Sequence, residues 1–221
     1  MMRLHDYWRS GAAYRVRIAL NLKGLPYEAL SHDLRTGAQR DPSFLAVNPQ
    51  GLVPALEING ACLTQSLAII EWLEERYPEV PLLPSDAESR AIVRGMAQVV
   101  CCDIHPLNNL RVLNALRNDL GADEAAVNAW IAHWIRDGFV ALEALIEKHG
   151  GQFAFGDTAG LVDCCLVPQV YSADRFEVSL ETFPAIKAVT KNARAITAFA
   201  DAAPERQAGS GRIPPSIPER A

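Results

Sequence analysis

The chain has 221 residues, 49% of them hydrophobic, with 21 Lys+Arg against 26 Asp+Glu and a formal net charge of -5. At roughly 100–200 residues per domain this is one or two packed domains around a sizeable core. The mildly acidic balance, with no run of five like charges, excludes the electrostatic footprint of a nucleic-acid or anionic-membrane binder, so neither is expected as a partner.

Arg3 to Trp8 alternate weakly and predict a short strand. Tyr14 to Lys23 then place Val16, Ala19, Leu20 and Lys23 on one helical face, with Gly24 as the stop. Tyr27 to Leu34 read as a second strand, parallel to the first across a right-handed crossover. After a loop, "VPALEINGACLT" (Val53 to Thr64) carries Asn59-Gly60 between apolar residues, a strong hairpin signal. Ser66 to Tyr77 form a helix with Leu67, Ile70, Leu73 and Tyr77 on one stripe, ended by Pro78. The order β-α-β, loop, β-β-α is followed by a proline-rich linker, Pro78 to Ser89, which predicts a boundary near residue 82.

Beyond it no strand pattern competes. Ile92 to Leu116, Asp123 to His149, Leu161 to Tyr171 and Phe183 to Ala202 read as helices of an all-helical domain. In "GDTAGLVDCCLVPQ" Asp163 stands three residues after Gly160, half of a capping box without the N-cap side chain. The expected domains are 1–82 and 88–204, and the polar tail 205–221 is expected to be disordered. No apolar run is long enough for a membrane span and no signal peptide is read at the N-terminus, so a cytoplasmic location is expected. Cys62, Cys101-Cys102 and Cys164-Cys165 suit neither a disulfide framework nor a zinc site and are read as buried small hydrophobes; no metal is expected.

The chemistry concentrates where strand hands over to helix. "WRSGAA" puts Arg9, Ser10, Gly11 and Ala12 at the N-terminus of the first helix, where unpaired N–H groups and the dipole favour an anion. Ser10 adds a hydroxyl, Arg9 a full charge, and the small residues leave room for close approach. A plain reading also stands: Ser10 as helix cap and Arg9 as solvated surface. In "NPQGLVPAL" the Val53-Pro54 bond is trans on base rates; a cis bond there turns the Val53 N–H and C=O outward, to pair with an extended peptide. Gln65 and Ser66 open another helix, as a second anion-accepting terminus or a plain Ser cap. Together these suit a short peptide carrying a carboxylate and a thiol.

At this point the chain resembles the zeta class of the glutathione transferase superfamily, the class of maleylacetoacetate and maleylpyruvate isomerases. The likeness runs from about Leu4 to Pro204 and is carried by "WRSGAAYRVRIALNLKGLPYE", "NPQGLVPAL", "QSLAIIEWLEERYP", "LLPSD", "CDIHPLNNLRVL", "LVPQVYSADRF" and "FPAIKAV". The resemblance implies a thioredoxin-like N-terminal domain that binds glutathione, a helical domain that completes the substrate pocket, and a homodimer. It implies Ser10 as the residue assisting the glutathione thiolate, with Gly11 and Ala12 standing where the class usually has a second serine and a cysteine. It implies Gln50 and the Val53 backbone, beside Pro54, at the cysteinyl-glycine part, and Gln65 and Ser66 at the γ-glutamyl carboxylate. His105, Asn108 and Asn109 are implied to reach the tripeptide from the helical domain; for His105 a half-buried structural role is the alternative. His32 matches no role and is read as structural.

The implied reaction is cis-trans isomerisation, for which a nucleophile must add to a double bond and leave again. A maleyl substrate carries two carboxylates, which call for separated cations. Arg9, Arg111 and Arg175 are the candidates: Arg175 by direct match, Arg111 because maleylpyruvate isomerases carry an arginine there, with an exposed helix arginine as its alternative. Maleylacetoacetate is the expected substrate and maleylpyruvate the runner-up. A general transferase acting on electrophiles, or a non-catalytic module of this fold, are the other readings.

Overall fold

The computed structural model describes residues 1–210. Two compact units are present among the described residues: Met1–Val80 joined by residues 195–210, and Pro81–Arg194.

The first unit begins with β1 (Met2–Asp6), α1 (Gly11–Leu22) and β2 (Tyr27–Ser31), and β1 and β2 pair in parallel. Where a loop is expected, a 3-10 turn (Ala38–Arg40) and a short helix, α2 (Pro42–Val47), intervene. Pro42 pre-sets the first helical φ, and Phe44 is the one residue that α2 buries. Six residues are too few for a periodic stripe to register in the sequence. β3 (Ala55–Ile58) and β4 (Ala61–Thr64) then form the hairpin, with Asn59 and Gly60 both at positive φ as a two-residue turn of this kind requires. The sheet order is β2-β1-β3-β4, with β3 antiparallel to both neighbours and Leu4 opposite Leu56 at its centre.

α3 (Ser66–Arg76) follows the hairpin, and Leu20, Ile69, Ile70 and Leu73 are buried in the core of the unit. Burial along α1 runs without a break from Ala13 to Leu20 and includes two arginines. Arg17, fully buried, pairs with Asp6 at 2.6 Å and donates to the carbonyls of Trp8 (3.1 Å) and Ala202 (3.0 Å). Lys23 likewise donates to Glu74, Tyr77 O and Val80 O, fastening the end of α1 to the end of α3.

The second unit contains α4 (Ala87–Gln98), α5 (Leu110–Asn118), α6 (Glu124–His149), α7 (Leu161–Arg175) and α8 (Pro184–Arg194). The single helix expected over 92–116 is broken: a π-helical turn (Val99–Ile104) and a 3-10 turn (His105–Asn108) separate α4 from α5. Pro106 lacks the N–H that continuation needs, and Asn109 starts the next helix as its N-cap. The apolar stripe passes through the break, which is why periodicity alone misses it. Gly138 of α6 is required there, because a Cβ would lie 2.3 Å from Ile104 Cδ1.

The segment 78–89 is less of a free linker than its composition suggests, since Leu82 and Leu83 are buried. Leu82 O accepts from Leu161 N at 2.9 Å and so completes the start of α7. This accounts for Gly160 where Ser would cap better: a Cβ at Gly160 would stand 2.8 Å from Leu82 O. Asp163 supplies the half-box, accepting from Gly160 N (2.9 Å) and Ala154 N (3.0 Å).

The helix expected over 183–202 also divides. Ile196 is extended, and α9 (Thr197–Ala202) packs on α1 in the first unit. Residues 204–206 form a 3-10 turn, and Gln207 donates to the Asp201 and Ala203 carbonyls, so this part of the expected disordered tail is ordered. The remainder of the tail, 211–221, lies outside the described residues. The cysteine reading holds for Cys164 and Cys165 only. Cys62 and Cys102 are exposed, and Cys101 is half-buried with its sulfur 3.7 Å from that of Cys165. A small side chain on an edge strand or on the outer face of a helical turn has no core to enter, whatever its hydropathy.

Candidate functional site

Ser10 is the N-cap of α1, with an extended backbone and its Oγ accepting from Ala13 N at 3.2 Å. A hydroxyl has one donor besides its lone pairs, so the same group that caps the helix still has a hydrogen to give. Capping and anion binding are therefore compatible roles. Arg9, half-buried, holds its guanidinium 5.3 Å from the centroid of the Trp8 ring. Gly11 and Ala12 are half-exposed. No acidic side chain lies in the first turn of α1, so the helix brings no carboxylate of its own to the positive end of its dipole.

The Val53-Pro54 bond is cis, against the base-rate expectation. Val53 is buried in a cluster with Tyr7 and Phe44, against which Trp8 also packs, which ties this segment to the turn that carries Arg9 and Ser10. Among the described residues no hydrogen bond engages the Val53 N–H or C=O. Gln65 sits at φ +68, ψ 116, a strained conformation for a non-glycine residue of the kind that concentrates at ligand sites. Its Nε2 donates to Gln50 Oε1 at 2.8 Å, so two residues fifteen apart are brought together. Ser66, the first residue of α3, is buried and its Oγ accepts from Arg15 Nη1 at 3.2 Å. Like α1, α3 has no acid in its first turn. Arg9, Ser10, Gly11, Ala12, Gln50, Val53, Pro54, Gln65 and Ser66 thus all belong to the first unit.

His32 lies outside this group. Its Nε2 is 2.8 Å from His5 Nδ1, and His5 Nε2 is 2.8 Å from Glu57 Oε1. Burial, helped by the neighbouring His5, lowers the His32 pKa.

The other candidates belong to the helical unit. His105 and Asn108 bound the 3-10 turn. Both amide atoms of Asn108 are buried with no partner among the described residues, a state that costs about 1–3 kcal/mol per group until something binds. Asn109 is committed to its own helix, as its Oδ1 accepts from Arg111 N at 3.2 Å. Arg111 and Arg175 are exposed, and the Arg175 guanidinium lies 4.3 Å over the Phe176 ring. Arg15 and Arg17 were not among the candidates. The signal available for them was the alternation of charge inside an otherwise apolar helix, "YRVRIAL".

A four-stranded mixed sheet with a proline at the entry to its third strand makes the first unit a thioredoxin-like domain, in which the acid-free N-termini of α1 and α3 suit an anion. The family model for the glutathione S-transferase N-terminal domain matches residues 4–81. Maleylpyruvate isomerase of Ralstonia sp is 53% identical over 95% of this chain and 100% of its own length. Maleylacetoacetate isomerase of Pseudomonas aeruginosa is 52% identical over 93% and 97%. Among solved structures, maleylacetoacetate isomerase of Methylobacterium extorquens with bound malonate and glutathione has a TM-score of 0.91 at 40% identity, covering 97% of this chain and 100% of that one. The chain belongs to the glutathione transferase family, within the zeta class of maleylacetoacetate and maleylpyruvate isomerases.

Among the described residues no helix is long and apolar enough to cross a membrane, and no three His, Cys, Asp or Glu side chains are grouped to hold a metal.

Proposed function

We propose that this chain is a glutathione-dependent isomerase that converts the cis double bond of maleylacetoacetate to trans, working as a homodimer in the cytoplasm. The observation that carries the reading is Ser10 at the acid-free N-terminus of α1, its oxygen engaged by Ala13 N and its hydrogen left to donate. The donors of the first unit fit glutathione: Gln65, Ser66 and the dipole of α3 suit a carboxylate, the unpaired Val53 backbone suits a peptide group, and Ser10 suits a thiolate.

Bound glutathione supplies a thiolate that adds to one olefinic carbon and leaves again, so that the double bond is single while rotation occurs. Ser10 and the N–H groups of the first turn hold that sulfur in its ionised form. Gly11 and Ala12 keep the approach open. Arg9 stabilises the negative charge that develops on the substrate carbonyl during addition, a contribution larger in the transition state than before it. Arg175 and Arg111 hold substrate carboxylates, His105 and the unmatched Asn108 amide meet the tripeptide, and Asn109 contributes mainly by capping α5. The test is spectrophotometric: with glutathione, purified protein converts the maleyl substrate to its fumaryl isomer, and no conversion overturns the assignment.

Maleylpyruvate is the second reading, favoured by Arg111 and by the Ralstonia relative. A kcat/KM higher for maleylpyruvate than for maleylacetoacetate decides for it.

A further inference from the structure

Four of the five cysteines stand as two adjacent pairs in the helical unit, Cys101-Cys102 in the π-helical turn and Cys164-Cys165 in α7. Neighbours in a helix point roughly 100° apart, so neither pair faces itself. Across the two elements the geometry is different: the sulfurs of Cys101 and Cys165, both thiols here, touch at 3.7 Å. A disulfide needs a separation of about 2.0 Å, so closure requires the sulfurs to approach by less than about 2 Å. The backbone on both sides has room to yield. Cys101 sits in a π-helical turn, a rare winding, and in α7 Pro168 gives no N–H to the Cys164 carbonyl, so the ladder skips a rung beside Cys165. Access is graded as well, since Cys101 is half-buried and Cys165 is fully buried.

We propose that Cys101 and Cys165 are a redox modification site, which closes to a disulfide when glutathione disulfide accumulates and reopens when it is reduced. The Cys101 thiolate attacks one sulfur of glutathione disulfide; the S–S bond of the oxidant breaks, a mixed disulfide forms on Cys101, and one glutathione thiolate leaves with the Cys101 proton. Cys165 then gives up its proton and attacks the Cys101 sulfur, and the second glutathione thiolate departs and takes that proton. The chain loses two electrons and the oxidant gains them. The turn that is pulled runs directly into His105 and Asn108, so the oxidised chain holds that segment out of its working position. The bond itself is independent of the isomerase reading; its effect on rate rests on that reading.

The experiment incubates the full chain with glutathione disulfide, removes the oxidant by desalting, and applies peptide mapping and the isomerase assay. The expected product is lighter by two hydrogens and joins tryptic peptides 95–111 and 149–175. The link persists in Cys102→Ser and Cys164→Ala and is lost in Cys101→Ser and Cys165→Ala; Cys101→Ser, half-buried, gives the answer should the core variant not fold. In the oxidised chain kcat/KM falls by about 10-fold or more and recovers with dithiothreitol, whereas Cys101→Ser keeps its rate through the same treatment. A mixed disulfide that never closes, or a link through Cys102 or Cys164, overturns the proposal. A link that forms without changing kcat/KM is a staple and overturns the redox role. A reduced chain that neither isomerises a maleyl diacid nor binds glutathione overturns the isomerase reading and the effect on rate with it, while the linked peptides still decide the bond.

Discussion

The N-termini of α1 and α7 face the same electrostatics and meet it differently. At α1 the cap is a half-exposed Ser10, the next residues are Gly11 and Ala12, and no acid enters the first turn. At α7 the chain answers its own helix, with Leu82 O accepting from Leu161 N and buried Asp163 accepting from Gly160 and Ala154. A helix end that the chain leaves unmet is available to a ligand, while one that it satisfies becomes a fixed point of the fold. Elsewhere the chain answers its helix ends by other means: α4 and α6 carry Glu88 and Glu124 in their first turns, and the backbone N–H groups of Ala185 and Ile186 in α8 donate to Glu143.

The comparison breaks first at Asp163. Asp163→Ala removes the acceptor from two backbone N–H groups and should cost about 4 kcal/mol of unfolding free energy in denaturant titration, while kcat of the folded fraction is unchanged. A loss under about 1 kcal/mol would make the two termini alike. The carboxyl also has a pH signature. Burial raises its pKa from 3.8 to about 6, against the pull of its backbone hydrogen bonds. The folded state thus holds the proton more tightly than the unfolded one. Its contribution is fully present below about pH 3.8 and is lost as the pH rises through about 6. The stability of the natural chain relative to Asp163→Asn should fall over that window, and a difference independent of pH would contradict this.

Ser10→Ala is the counterpart, acting on rate more than on stability. It should lower kcat/KM by about 3 kcal/mol, roughly 100-fold or more, with about 1 kcal/mol lost from the helix cap. If the stability loss were the larger of the two, Ser10 would be a cap alone. Arg175→Ala should raise KM for the maleyl diacid by about 2 kcal/mol and leave KM for glutathione unchanged in the same assay. Smallest is Asn109→Ala, expected to cost about 1 kcal/mol of stability with both KM values unmoved; a higher KM for glutathione would return Asn109 to the ligand.

Local patterns announced β1, α1, β2, the Asn59-Gly60 hairpin and α3, because each has its own period and its own stop. What the sequence hid is what depends on distant partners. The stripe through Val100 and Ile104 continues across the π-helical turn, so nothing in it signals the break. The face of α9 is apolar whichever core receives it, so its return to the first unit was not legible. Nor was the reason for Gly160, since Leu82 O lies far back in the chain. At the candidate site the residue types around Ser10, Val53 and Ser66 were legible as anion- and peptide-binding chemistry. Arg15 was not, because a charge inside an apolar helix reads as an exposed side chain until its burial is seen.

Helix α9 has a consequence for how the molecule is made. Asn21 and Arg17 donate to the carbonyls of Ala198 and Ala202, so the amino-terminal layer is sealed by one of the last described stretches of polypeptide. During vectorial synthesis that layer must wait, with Arg17 short of an acceptor, until more than a hundred intervening residues have left the ribosome. A chain truncated near residue 195 should therefore carry a protease-sensitive amino-terminal half, and one that extends through Gln207 should be protected.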